Sequence, residues 1–199
     1  MKCVLASKNR AKLQEMRRIL APLGWELIGE GELKSPLPEV DETGATFAEN
    51  AMLKARSACK ATGLPAIADD SGLCVDVLGG APGVYSARYA GAHGDDKANN
   101  DKLLAELREV SDTRRTAHFA CAICCAWPDG RTLTANGRCE GAIGHAARGG
   151  NGFGYDPLFV TRFGCFGEMD AAAKDAISHR GAALRAFAAL LADQRQDKH

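Results

Sequence analysis

The chain has 199 residues, with 25 basic and 25 acidic side chains for a formal net charge of +0, and 46% hydrophobic against 25% charged residues. That length supports a self-sufficient core and the balance is that of a globular protein. With no long run of Lys or Arg, it excludes a protein held mainly by nucleic-acid phosphates or by an anionic membrane, but not one that binds a small anion through a local cluster of cations.

At the N-terminus, the apolar stretch Cys3 to Ala6 is too short for a signal peptide and charges follow at once. No apolar run reaches the length of a membrane span, so a cytoplasmic protein is expected. Cys3 to Ser7 reads as a short buried strand. Asn9 to Leu20 follows as a helix, with Leu13, Met16 and Leu20 at helical spacing. Residues 30–45 hold Gly, Pro and acidic groups and read as a loop. Thr46 and Glu49 have the spacing of a capping box, which predicts a helix from there to about Ala61, ended by Gly63 and Pro65. LPAIADDSG predicts a strand that ends in carboxylates, with Gly72 closing the turn. Residues 79–93 are Gly-rich and irregular, and Lys97 to Val110 reads as a helix. His118–Trp127 and Arg131–Cys139 flank Pro128-Asp129-Gly130 and predict a hairpin. GGNGFGYDP is a loop before a short strand, LFV. Helices are expected again at about Glu168–Lys174 and Ser178–Ala192. Strands alternate with helices and then a hairpin intervenes, which predicts an α/β protein with a mixed sheet. No repeat or low-complexity linker divides the chain, so a single domain over 1–199 is expected.

The eight cysteines include a C-x-x-C pair, Cys121 and Cys124, inside the apolar run AHFACAICCAW. In a strand their odd separation points them to opposite faces. No second such pair and no close pair of histidines completes a zinc set, so buried thiols are expected.

Chemistry-bearing residues gather in four places. Ser7-Lys8-Asn9-Arg10-Ala11-Lys12 is a strand-to-helix junction. The unpaired N–H groups and dipole of a helix N-terminus favour phosphate; the same residues also read as a plain cap at Asn9 with Lys12 on a solvated face. The acidic loop holds Glu39, Asp41 and Glu42, and on the following helix Asn50 and Lys54 share a face. Asp69 and Asp70 lie at the C-terminal end of a strand, where α/β proteins place ligands. Neighbouring strand residues face opposite ways, so one carboxylate can face a site while the other is turned away. Magnesium takes oxygen ligands, often one or two carboxylates completed by phosphate and water, but a pair of turn-forming Asp residues is the alternative. Finally, Phe153 sits among glycines, free either to stack on a flat base or to fill the core. Lys174, His179 and Arg180 follow, the last two in the first turn of a helix, where cations oppose the dipole unless an anionic or carbonyl-bearing ligand is near.

The blocks SKNRAKLQE, EVDETGATFAENAMLKA, PAIADDSGLCVDVLGGAPGVYSARYAG, GFGYDPLF and KDAISHRGAAL, in that order, resemble the inosine triphosphate pyrophosphatase family, also called XTP/dITP diphosphatases, from residue 3 to about residue 192. The resemblance implies an elongated, two-lobed α/β fold around a curved mixed β-sheet with flanking helices and a cleft between the lobes. It implies a cytoplasmic homodimer, Mg²⁺, and hydrolysis of ITP, dITP or XTP to the monophosphate and pyrophosphate, which cleanses the nucleotide pool. Carried over by position, Ser7, Lys8, Asn9, Arg10, Ala11 and Lys12 would hold the triphosphate, assisted by Lys54. Glu42 and Asp70 would serve the metal, Asp69 beside Asp70 would share it, and Asp70 would accept the proton. Ser71 would contact substrate, Phe153 would stack on the purine, and Gly154, Tyr155 and Asp156 would continue that wall. Lys174, His179 and Arg180 would read the base edge. Residues 161–173 depart from the family pattern, which bears on the rim of the site and not on its chemistry. A Maf-type pyrophosphatase with another base preference, or a nucleotide-binding module without turnover, are the alternative readings.

Overall fold

A computed structural model describes residues 1–196. In chain order the elements are β1 (Lys2–Leu5), α1 (Arg10–Leu20), β2 (Glu26–Ile28), α2 (Phe47–Thr62), β3 (Ala66–Val75), α3 (Asp96–Glu106), β4 (Thr116–Ala126), β5 (Thr132–Ile143), β6 (Phe159–Thr161), β7 (Gly164–Cys165), α4 (Ala171–Ile177) and α5 (His179–Gln196). The strands form one mixed open sheet of seven, in the order β2-β1-β3-β4-β5-β6-β7. β1 is parallel to β2 and β3, and β6 is antiparallel to β5 and β7.

The chain divides into two compact units. The first comprises residues 1–70, 121–137 and the chain from His179 onward; the second comprises Ser71–Ala120 and Arg138–Ser178. In the first unit the two-residue period of the strands sorts the core into two layers. Cys3, Leu5, Ile67, Cys121, Ile123 and Cys125 pack with Met16 and Leu20 of α1 and Leu184 and Phe187 of α5. Val4, Ala6, Ala66, Ala68, Ala122, Cys124 and Ala126 pack with Ala51, Ala55 and Ala58 of α2. The two layers thus put Cys121 and Cys124 on opposite faces, and all eight cysteines are free thiols. The second unit has its own core, in which Leu73 and Val75 meet Leu103 of α3, Leu107 just past its end and a cluster of Phe119, Phe159 and Phe166.

Local chemistry sets the helix ends that matter for the site. Asn9 caps α1, its Oδ1 accepting the Ala11 and Lys12 N–H groups at 2.9 and 3.1 Å. The capping box at α2 forms: Thr46 Oγ1 accepts from the Glu49 N–H, and the Glu49 carboxylate accepts from the Thr46 N–H. Gly63 ends that helix in the left-handed conformation, φ +67°. Among the described residues no helix is long and apolar enough to cross a membrane.

One expectation needs correction, and two segments gain a structure that the sequence did not indicate. β3 does not end in its carboxylates: it runs on to Val75, and Gly72 lies inside it. The Asp-Asp-Ser-Gly composition suits a turn, but Leu73 and Val75 are fully buried, and burying them keeps the chain extended. The turn follows instead at Asp76–Leu78 with Gly79 and Gly80 at positive φ. The short strand β2 lies in a stretch that gave no periodic signal. The segment 161–173 forms the β6–β7 hairpin, with Phe163 exposed at its tip and the Arg162 guanidinium 4.5 Å from its ring centroid, before a short 3-10 turn leads into α4.

Candidate active site

The layer structure of the first unit decides where the paired aspartates point. Asp69 continues the register of Ile67 and faces α1 and α5, whereas Asp70 continues the register of Ala66 and Ala68 and faces α2.

On the Asp69 side the contacts are those of a closed network. Its Oδ2 is 3.0 Å from the Lys12 ammonium and accepts from Arg180 Nε and Nη2 at 3.1 and 2.9 Å. The third guanidinium nitrogen, Nη1, donates to Glu15 Oε2 at 2.6 Å. Arg180 and Asp69 are each 1% exposed and Glu15 is 3% exposed, so this network sits in the dry interior. Burial alone would raise the Asp69 pKa, but Lys12, Arg180 and Lys54 outweigh it and hold the carboxyl well below the usual range. Burial would likewise lower the Arg180 pKa, but Asp69 and Glu15 overcome it and raise it. Glu15 is a member of this network that sequence reading missed. Its only signal was a lone acid on α1, three residues after Lys12.

The Asp70 side is less deeply buried, its carboxylate side chain 10% exposed against 0% for Asp69. Lys54 Nζ donates to Asp70 Oδ1 at 3.0 Å and to Glu42 Oε1 at 3.2 Å, which ties two carboxylates to one ammonium. Asn50 Nδ2 donates to Asp70 Oδ2 at 3.3 Å, while Asn50 Oδ1 accepts the Gly44 N–H at 2.8 Å and so fastens the acidic loop to α2. A Cβ on Gly44 would stand 2.7 Å from Asn50 Oδ1, which accounts for glycine there. Burial raises the Asp70 pKa and Glu42 raises it further, against the opposing pull of Lys54. Burial works to lower the Lys54 pKa, but the surrounding carboxylates raise it overall. Asn50 was legible as a partner of Lys54 from their four-residue spacing, but not as a ligand of Asp70.

The donor set here suits a hard divalent cation. Glu42 and Asp70 bring two carboxylates within reach of one lysine nitrogen. Among the described residues no group of three or more His, Cys, Asp or Glu side chains converges as a ready-made cage. Two carboxylates completed by water and substrate phosphate is how magnesium is usually held.

At the α1 junction, Ser7 Oγ accepts the Asn9 N–H at 3.2 Å. Lys8 reaches Glu39 at 3.1 Å in an exposed pair, and Arg10 is exposed at the first position of the helix. Lys12 is turned inward to Asp69, and His179, 3% exposed, begins α5 beside Arg180.

The second unit holds a separate cluster. Asp156 is its centre: Oδ2 accepts from Lys174 Nζ at 2.7 Å and from the Phe153 N–H at 2.8 Å. Asp156 and Lys174 are 2% and 6% exposed. The Lys174 ammonium stands 4.9 Å from the centroid of the half-buried Phe153 ring. Tyr155 is buried, and its hydroxyl donates to the Ser86 carbonyl at 2.9 Å. A Cβ on Gly152 would stand 2.0 Å from Asp156 Oδ2, so glycine is required there. Ser71, half-buried, opens this unit on β3. The structure therefore brings Phe153, Gly154, Tyr155, Asp156 and Lys174 together, and puts Arg180 with Asp69 and Glu15 in the other unit.

Comparison with known proteins shows the family. The Ham1 family model matches residues 3–190. A dITP/XTP pyrophosphatase of Streptomyces avermitilis is 53% identical over 188 residues, covering 92% of each chain. One from Haemophilus influenzae is 50% identical over 187 residues, covering 92% of this chain and 95% of the relative. Among solved structures, a HAM1 protein from Coxiella burnetii superposes with a TM-score of 0.85 at 43% identity, covering 97% of this chain and 99% of that one. The Staphylococcus aureus Ham1 protein gives 0.83 at 40% identity, with 98% and 100% covered. With its sequence matched almost end to end and its fold shared with these structures, the chain belongs to the Ham1 family.

Proposed function

We propose that this protein is a nucleoside triphosphate pyrophosphohydrolase that acts, with Mg²⁺, on ITP, dITP and XTP to release the monophosphate and pyrophosphate. The observation that carries the chemistry is the Asp70 side of the first unit: a buried carboxylate with its pKa raised, beside Glu42 and bridged to it by Lys54. The substrate class rests on relatives about half identical in sequence that bear the name dITP/XTP pyrophosphatase.

Glu42 and Asp70 would hold the metal, which, when bound, neutralises triphosphate charge and eases departure of pyrophosphate. Asp70 accepts the proton of a water that attacks the α-phosphorus. Burial suits it to this, because a carboxylate of raised pKa holds a proton better than one in water. The bond from the α-phosphorus to its bridging oxygen breaks, and the electron pair leaves with pyrophosphate. Lys54 stabilises charge on the phosphate oxygens, and the α1 N-terminus with Asn9 and Ser7 supplies N–H and hydroxyl donors. Lys12 and Arg180 act through Asp69, fixing the strand on which Asp70 stands.

Base selection falls to Phe153 as a stacking surface and to Lys174 as a donor toward a 6-oxo group; His179 keeps the base-edge role that the resemblance implies. Adenine presents a 6-amino donor instead and would leave a buried donor unpaired, at about 1–3 kcal/mol. A homodimer is part of the proposal, and light scattering giving twice the chain mass of 21.0 kDa would support it. The direct test is a panel of ITP, XTP, dATP and dGTP assayed for pyrophosphate with Mg²⁺ and with EDTA. Release from ITP and XTP with Mg²⁺ alone supports the proposal; equal release from dATP, or orthophosphate as the product, would overturn it.

A further inference from the structure

The loop that carries Phe153 is gripped from α3. α3 packs into the core through Leu103 near its C-terminal end, while its first turns are occupied by side chains that hold backbone elsewhere in the second unit. Asp96 Oδ2 accepts the Gly154 N–H at 2.7 Å, and one turn later Asn100 Nδ2 donates to the Gly154 carbonyl at 3.0 Å. The four-residue spacing stacks these two side chains on one helix face, so that a carboxylate and an amide bracket a single residue as a neighbouring strand would. Gly154 is in the left-handed conformation, φ +60°, in which a longer side chain is strained. Gly154 stands inside the turn that the Asp156 N–H closes on the Phe153 carbonyl at 3.2 Å. On the other side, the Phe153 N–H is held by Asp156 at 2.8 Å. Between them, Asn99 Oδ1 accepts the Ala90 N–H at 2.7 Å and Lys102 Nζ donates to the Tyr89 carbonyl at 2.8 Å, fixing the irregular segment whose Ser86 carbonyl receives the Tyr155 hydroxyl.

We propose that Asp96 and Asn100 are positioning residues that pre-set the Phe153 ring for the purine by clamping Gly154. Asp96 carries more of the effect, since its bond is shorter and the acceptor is charged. The proposal rests on the reading that Phe153 stacks on the base. Pre-organising a stacking side chain lowers the ordering cost of binding and leaves the bond-breaking step alone, so its loss appears in KM.

The test is a cycle of Asp96→Ala, Asp96→Asn, Phe153→Ala and the Asp96→Ala/Phe153→Ala double variant, read as KM and kcat for ITP with Mg²⁺, together with hydrogen–deuterium exchange over residues 150–158. Asp96→Ala is expected to raise KM several-fold with kcat within twofold and to speed exchange at Gly154. Asp96→Asn, whose amide oxygen can still accept the N–H, is expected to restore both. In the Phe153→Ala background, Asp96→Ala is expected to add less than twofold to KM. Unchanged exchange in Asp96→Ala would refute the clamp. An undiminished effect in the Phe153→Ala background would make Asp96 a folding contact only and refute its part in base binding. If Phe153→Ala leaves KM unchanged while exchange at Gly154 still quickens in Asp96→Ala, the clamp exists but the stacking reading fails, and the positioning role fails with it.

Discussion

On one side of β3 the Asp69 carboxylate is excluded from water and met by Lys12 and Arg180, whose remaining guanidinium nitrogen is taken by Glu15. On the other side, one residue along, Asp70 shares a single ammonium with Glu42 and leaves burial incompletely compensated. The same residue type, adjacent in the chain, thus has its pKa moved in opposite directions, down at Asp69 and up at Asp70. The difference teaches that the strand's two-residue period is enough to separate a structural carboxylate from a reactive one. The side with two cations on one carboxylate stabilises the fold; the side with one cation shared by two carboxylates keeps a raised proton affinity that chemistry can use.

The largest effect that would break this contrast is on stability. Asp69→Asn removes the charge that meets buried Arg180 and half-buried Lys12, leaving Arg180 only Glu15, and should cost about 3–5 kcal/mol, read as a fall in denaturant midpoint at neutral pH. The sign with pH follows from the depressed pKa. Asp69 contributes stability that is present above about pH 4, the ordinary carboxylate value, and lost as the pH falls below it, so the gap between wild type and Asp69→Asn should narrow in acid. A gap independent of pH, or none, would show that the Asp69 network does not stabilise the fold as described. Next in size, Phe153→Ala should lose about 1–3 kcal/mol of stacking, seen as a KM for ITP raised roughly tenfold with little change in kcat. An unchanged KM would make Phe153 a packing residue. Smaller still, Lys54→Gln removes the cation that opposes burial at Asp70. Its carboxyl should then titrate higher, moving the acid limb of kcat/KM towards neutral pH; movement the other way would contradict the electrostatics given above.

Much of this was legible in the residues. The caps at Asn9 and Thr46, the helix over α2 and the hairpin at Pro128–Gly130 follow from local rules, and the opposite facing of Asp69 and Asp70 follows from strand alternation. What local rules could not supply was partnership across the chain. Arg180 is 111 residues from Asp69 and 165 from Glu15, and only the packing of α5 beside α1 brings these charges together. A cation in the first turn of a helix opposes the dipole, and at Arg180 the partners Glu15 and Asp69 offset that conflict from within the protein. Gly72 misled for a related reason. Its composition belongs to a turn, but the demand to bury Leu73 and Val75 overrides propensity.

The contrast between the two sides of β3 is tested most directly on Asp70→Asn, by measuring its melting temperature and its pyrophosphate release from ITP with Mg²⁺ on one preparation. A raised pKa means that ionising Asp70 costs stability as the pH rises from 3.8 towards its folded value, so the neutral amide should melt at or above the wild-type temperature. Turnover should fall by a factor on the order of 10²–10⁴, as expected for the loss of a general base. An Asp70→Asn protein that melts like wild type and still turns ITP over at near its rate would contradict the assignment of the chemistry to Asp70.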